Sequence, residues 1–184
     1  MKTNELTKMS ICIALLCVSA YLSFPLPFSP AMVTAQTIVV NLIALVLTPK
    51  QALITVGLYI LIGILGLPVF SGGASGLAKI LSPTGGFILG FLIVAPLMSC
   101  LKNSSVHLQS YLLVTIGVGM PVIYLFGAIW MSYVNQIGFL PALQVAVIPF
   151  IFGDVVKCVM ASLVAVKLNQ TACSSAMRHR LTHE

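Results

Sequence analysis

Residues 110–134 read SYLLVTIGVGMPVIYLFGAIWMSYV, without one charged side chain. A helix needs about 20 predominantly apolar residues to cross the hydrocarbon core of a bilayer. This run is long enough, and it has no polar face to turn toward water. Five further apolar segments surround it, roughly 9–24, 35–48, 51–67, 84–101 and 141–168. The first three are short, so they are expected to begin inside loops that also enter the membrane. Turn signals separate the segments: Pro25, Pro27 and Pro30; Thr48-Pro49-Lys50; the stretch 66–86; Lys102-Asn103-Ser104-Ser105; and Asn135 to Pro141. The reading is an all-α integral membrane protein of six transmembrane helices, one domain over 1–184, ending in a polar, frayed tail, 169–184.

Composition leads to the same class. Of 184 residues, 59% are hydrophobic and 7% charged, with a mean hydropathy of +1.12. A soluble domain carries about 25% charged residues, and a chain of this size could not bury so much apolar surface within itself. The net charge of +6 is scattered between apolar runs, not gathered on a face interleaved with aromatics as nucleic-acid binding requires. It fits topology instead. With a cytoplasmic N-terminus, Lys2, Lys8, Lys50, Lys102, Lys167, Arg178 and Arg180 all fall inside; only Lys79 falls in an outer loop. That asymmetry sets the orientation, with both termini cytoplasmic. A rival for segment one is a cleaved signal peptide, with Lys2 and Lys8 ahead of an apolar run and Val18-Ser19-Ala20 as the cleavage site.

Cys12, Cys17, Cys100, Cys158 and Cys173 show no C-x-x-C spacing, and most lie in apolar stretches as small hydrophobes. His107, His179 and His183 lie in connections or the tail. No metal cluster and no cofactor are implied.

The chemistry concentrates in three places. Segment six contains Ile148-Pro149-Phe150-Ile151-Phe152-Gly153-Asp154-Val155-Val156-Lys157. Asp154 and Lys157 are i and i+3, hence on one helical face. An unpaired charge at a membrane helix centre costs about 2.5–3.5 kcal/mol; a pair is cheaper. Such a pair either locks two helices or faces a polar cavity, and Pro149 and Gly153 just before it loosen the helix as a ligand site would need. The second is the loop Gly66-Leu67-Pro68-Val69-Phe70-Ser71-Gly72-Gly73-Ala74-Ser75-Gly76-Leu77-Ala78-Lys79, then Ser82-Pro83-Thr84-Gly85-Gly86. Glycines admit close backbone approach to a ligand. The alternative is a flexible linker, against which its apolar residues speak. The third is Phe24-Pro25-Leu26-Pro27-Phe28-Ser29-Pro30 running to Thr34, Gln36 and Thr37, where Gln36 is either a ligand donor or an interfacial cap. By the topology, all three clusters meet on the outer side as one pocket. Tyr124 of segment five is expected to line it; for Trp130 and Tyr133, anchoring at the interface is an equal alternative. Gly86-x-x-x-Gly90 reads as close helix packing.

Two chemistries are excluded by motif. Lys79 follows Ala78 and precedes Ile80, so the phosphate-binding G-x-x-x-x-G-K-[ST] fails. No G-x-S-x-G, no H-E-x-x-H and no second intramembrane acid accompanies Asp154.

The run Pro25 to Pro30 with Gln36-Thr37, then Gly66-Leu67-Pro68-Val69-Phe70-Ser71-Gly72-Gly73, Pro83-Thr84-Gly85-Gly86-Phe87, and Ile148-Pro149-Phe150 with Gly153-Asp154 and Lys157, resembles the BioY family. These are the biotin-binding S components of energy-coupling factor (ECF) transporters. The resemblance covers about residues 10–168. It implies six helices in the cell membrane and an extracellular pocket that captures biotin for uptake. It also implies a transmembrane coupling subunit and two ATPase subunits as partners, and a transport role, not an enzymatic one. The ligand set it implies is Asp154, Lys157, Gln36, Thr34, Ser71, Gly72, Gly73, Lys79 and Tyr124. Lys157 is expected at the biotin carboxylate. Asp154 either accepts from the ureido N–H groups or orients Lys157, and Lys79 is either a second carboxylate partner or an exposed base. The family's A-x-x-x-A on helix one is broken here, because Val18 follows Ala14; Ser10 and Ala14 offer a small-x-x-x-small surface for the coupling subunit one turn earlier. The competing readings are an S component for another small vitamin, a structural membrane subunit, and an intramembrane enzyme that lacks a catalytic pair.

Overall fold

The computed structural model describes residues 3–27, 29–103 and 106–181, with backbone only for Leu26 and 172–181. Lys2, Phe28, Ser104, Ser105 and His183 lie outside the described residues, as do the side chains of Cys173, Arg178, His179 and Arg180.

Helices make the fold. They are α1 (Thr3–Ser19), α2 (Gln36–Val46), α3 (Pro49–Ile64), α4 (Leu77–Leu81) and α5 (Gly85–Leu101), then α6 (Leu108–Val114), α7 (Met120–Asn135), α8 (Phe139–Ala146) and α9 (Ile151–Leu181). A π-helical turn, Thr115–Gly119, joins α6 to α7. Residues 108–135 thus form one continuous apolar helix, and it and residues 139–171 are long and apolar enough to cross a membrane. The expected sixth segment divides at Ile148-Pro149-Phe150, a 3-10 turn between α8 and α9. Proline removes an N–H and interrupts the α-helical ladder there. The tail expected to fray from 169 instead continues α9 to Leu181; no glycine or proline after Gly153 interrupts it.

One element is not helical. The proline-rich loop forms a β-hairpin, β1 (Ser23–Leu26) against β2 (Ser29–Thr34), with Phe24 opposite Val33 and Pro25 opposite Met32. In a two-stranded ribbon every strand is an edge, so Pro25 and Pro30 need not break a ladder. Ser29 Oγ donates to Val145 O on α8 at 3.0 Å, which ties the hairpin to the bundle.

The main core runs through α1, α2, α3 and α5: Met9, Leu16, Val40, Ile43, Val56, Tyr59, Phe91 and Val94 are buried together. The expected close packing at Gly86 and Gly90 is found between α5 and α7. A Cβ at Gly86 would overlap Trp130 and the Phe126 carbonyl, and one at Gly90 would press Phe126 Cβ at 3.4 Å. With no Cβ, the two backbones approach and bring the first turn of α5 beside Tyr124.

Candidate functional site

A pocket opens where the hairpin, the glycine-rich loop and helices α2, α5, α7 and α9 meet. From the expected ligand set, Thr34, Gln36, Ser71, Tyr124, Asp154 and Lys157 line it. Phe87 and Phe91, one turn apart on α5, supply an aromatic wall, and Met32 of β2 covers part of it.

Its polar end is built on α9. Lys157 Nζ lies 2.7 Å from Asp154 Oδ1, and the Tyr124 hydroxyl donates to Asp154 Oδ2 at 2.8 Å. Both carboxylate oxygens are therefore engaged, and Asp154 is buried. The i, i+3 spacing read from the sequence is what lets the pair close. Lys157 uses one of its three donors on Asp154, and among the described residues the other two have no partner. The pair is neutral as a unit, which lowers the cost of holding it in an apolar bundle.

Gln36 is held from the opposite side. It is 3% exposed, at the first residue of α2, where no side-chain cap bond is made. Its Nε2 donates to the Tyr59 hydroxyl at 2.5 Å, and that hydroxyl donates to Val69 O of the glycine-rich loop at 3.1 Å. Among the described residues its Oε1 has no protein partner, so it remains an acceptor at the pocket wall. Tyr59 was not singled out by sequence reading. It sits inside an apolar run and looks like any core aromatic; its role depends on a loop ten residues later.

The glycine-rich loop is anchored, not a linker. Phe70 is fully buried and packs edge-on against Tyr59, with ring centroids 5.6 Å apart. Gly63 makes room for that ring, since a Cβ there would overlap it. Gly72 and Gly73 both have positive φ, at 75° and 74°, where only glycine sits without strain. Gly72 N–H reaches Ala20 O at the end of α1. These two glycines shape the loop that presents Ser71; neither lines the pocket.

Lys79 is half-buried on α4 and does not line the pocket; burial lowers its pKa. Trp130 donates to Ser82 O at 3.1 Å, bracing the end of the loop, and Tyr133 is exposed. Thr37, expected to offer a hydrogen bond at the entrance to segment two, also lines the pocket, as do Thr84 and Phe150, which the sequence placed in motifs without a role. Ser10 and Ala14 are exposed on α1, on the face away from buried Met9, Cys12 and Leu16.

The profile of the BioY family matches residues 1–173. The chain belongs to the BioY family. Among its relatives, a probable biotin transporter BioY of Pyrococcus horikoshii is 36% identical, over 91% of this chain and 98% of that protein. The biotin transporter BioY2 of Lactococcus lactis subsp. cremoris is 31% identical, over 91% of each chain. A crystal structure of an S-component for biotin from an ECF-type ABC transporter superposes with a TM-score of 0.86. It is 27% identical, over 92% of this chain and 95% of that one. This BioY family chain is therefore an all-α integral membrane protein.

Proposed function

We infer that this chain captures biotin in the pocket and serves biotin uptake as the substrate-binding S component of an ECF-type transporter. It crosses the cell membrane six times, has both termini in the cytoplasm, and carries no catalytic step of its own. A coupling subunit docks on the exposed Ser10 and Ala14 face, and two ATPase subunits supply the energy.

The observation that carries the reading is the buried Asp154–Lys157 pair beside aromatic walls, with Tyr124 closing the second carboxylate oxygen. Biotin offers a neutral ureido ring with two N–H donors and a carbonyl, an apolar thiophane ring and valeryl chain, and a carboxylate at the far end. Because Asp154 already cancels the charge of Lys157, a buried biotin carboxylate at this pair would leave a net negative site. The ureido ring is neutral and matches it: N–H groups to Asp154, carbonyl oxygen to the free donors of Lys157. The carboxylate then points toward Ser71 and Thr34. This assignment departs from the sequence expectation, and the reason is the closed ion pair.

Binding of biotin and biotin amide to wild type and Lys157→Met tests it. With the ureido ring at the pair, both ligands weaken together, more than tenfold, or about 1.4 kcal/mol. If Lys157 binds the carboxylate, the amide binds wild type poorly and the substitution changes it little.

A further inference from the structure

Beside the pocket lies a second, smaller chamber between α2, α7 and α9. Thr37, Asn41, Met120, Tyr124, Asp154 and Cys158 line it. Thr37, Tyr124 and Asp154 face both spaces, so the chamber backs directly onto the polar end of the site. Two of its lining residues each carry a buried oxygen, Thr37 Oγ1 and Asn41 Oδ1, with no hydrogen-bond partner among the described residues. Asn41 is 3% exposed, and its Nδ2 reaches Cys158 Sγ at 3.4 Å. Exchanging the oxygen and nitrogen of that amide would still leave one of them unpaired.

Unpaired polar groups inside an apolar bundle are costly. The chamber has room for about one water molecule and offers it several polar partners, the conditions under which an internal water is held. A hydrophobic pair at 37 and 41 would close the same space at no polar cost, yet the chain places threonine and asparagine there, one turn apart on α2.

We propose that this chamber is a water site that positions Asp154. The Thr37 hydroxyl donates to the water. The water donates one hydrogen to Asn41 Oδ1 and the other to the Asp154 carboxylate. Asp154 is then fixed from three directions, by Lys157, Tyr124 and the water. The first turn of α2, which carries Gln36, is tied to α9 through a single molecule. The water also disperses part of the carboxylate charge, which favours a neutral ureido ring over a cationic isostere. That consequence rests on the biotin reading; the water site itself does not.

Two measurements test this. A high-resolution crystal structure of the wild-type protein should show one spherical density peak within hydrogen-bond reach of Asn41 and Thr37. A dry chamber, where other internal waters are visible, overturns the proposal. Binding of biotin and of 2-iminobiotin, a cationic guanidinium analogue, is then compared in wild type, Thr37→Val, Asn41→Leu and Thr37→Ser. Thr37→Val and Asn41→Leu should weaken biotin three- to tenfold and narrow the preference for biotin over 2-iminobiotin at least threefold. Thr37→Ser, which keeps the hydroxyl, should retain the preference. Equal weakening of both ligands, or none, overturns the positioning role. If wild type binds neither ligand, the functional reading fails, while the density still decides the water site.

Discussion

Two lysines at opposite ends of the bundle divide its labour. Lys157 lies at the pocket, with one acidic partner and donors to spare. Lys102, just past α5, has its ammonium group fully occupied. It donates to the carbonyls of Ala44 at 3.0 Å, Leu45 at 3.1 Å and Leu47 at 2.5 Å. These are carbonyls from the last turn of α2, which a helix end leaves without intrahelical partners. Ser99 adds a bond to Leu47 O, and Asn169 joins Leu45 O to the Tyr111 hydroxyl. These bonds tie α2, α5, α6 and α9 together. At the pocket end, among the described residues, Thr37 and Asn41 each have a buried oxygen with no hydrogen-bond partner, and Gln36 Oε1 has none either. The contrast is between side chains whose hydrogen bonds join helices and side chains whose polar atoms face a cavity.

Substitutions at the two ends should therefore fail in different ways. The largest effect is expected at the pocket: Lys157→Met should weaken biotin more than tenfold while the purified protein stays folded, its thermal midpoint lowered by the buried Asp154 carboxylate left without its partner. A structural role for the pair predicts the reverse, a loss of folded protein with no ligand affected. Lys102→Met should leave biotin affinity within about threefold and cost about 1–3 kcal/mol of stability, the range for stranding buried carbonyls. Thermal unfolding in detergent reads this as a lowered midpoint. Tyr59→Phe removes the hydroxyl between Gln36 and Val69. It should weaken biotin about threefold and lower the midpoint, because Gln36 Nε2 and Val69 O lose this partner although the ring still packs on Phe70.

The smallest effect is one of pH. Burial lowers the Lys102 ammonium from its usual 10.5 to about 8. Between those values the unfolded chain holds a proton that the folded chain does not, so burial makes this group's contribution to stability rise with pH, offset in part by the loss of one of the three donors to the carbonyls. Partial solvation of the amine keeps the gain small. Raising the pH from about 7 to about 10 should shift the wild-type midpoint upward relative to Lys102→Met. A downward relative shift would contradict the burial.

Much of this was legible in the sequence because membrane helices announce themselves locally. The apolar runs, the turns between them and the i, i+3 pair at 154 and 157 are each contained within a short window. The site's three clusters were found because polar groups are rare in such a chain. What escaped depends on distant partners. Lys102 reads as a loop base marking topology, since its carbonyls lie more than fifty positions earlier. Tyr59 hides inside an apolar run. The hairpin at 23–34 is obscured by three prolines that a ribbon with two edges tolerates. The charge balance at Lys157 appears only when the pair is seen closed, and it is the ground on which we propose the ureido ring, not the carboxylate, for this end of the pocket.

The most direct test of the central claim is equilibrium binding of labelled biotin to the purified chain, competed by unlabelled biotin, thiamin and riboflavin. Saturable binding at micromolar biotin or below, displaced by biotin alone, is the predicted result. Failure to bind biotin at that concentration, with thiamin or riboflavin bound instead, would contradict it.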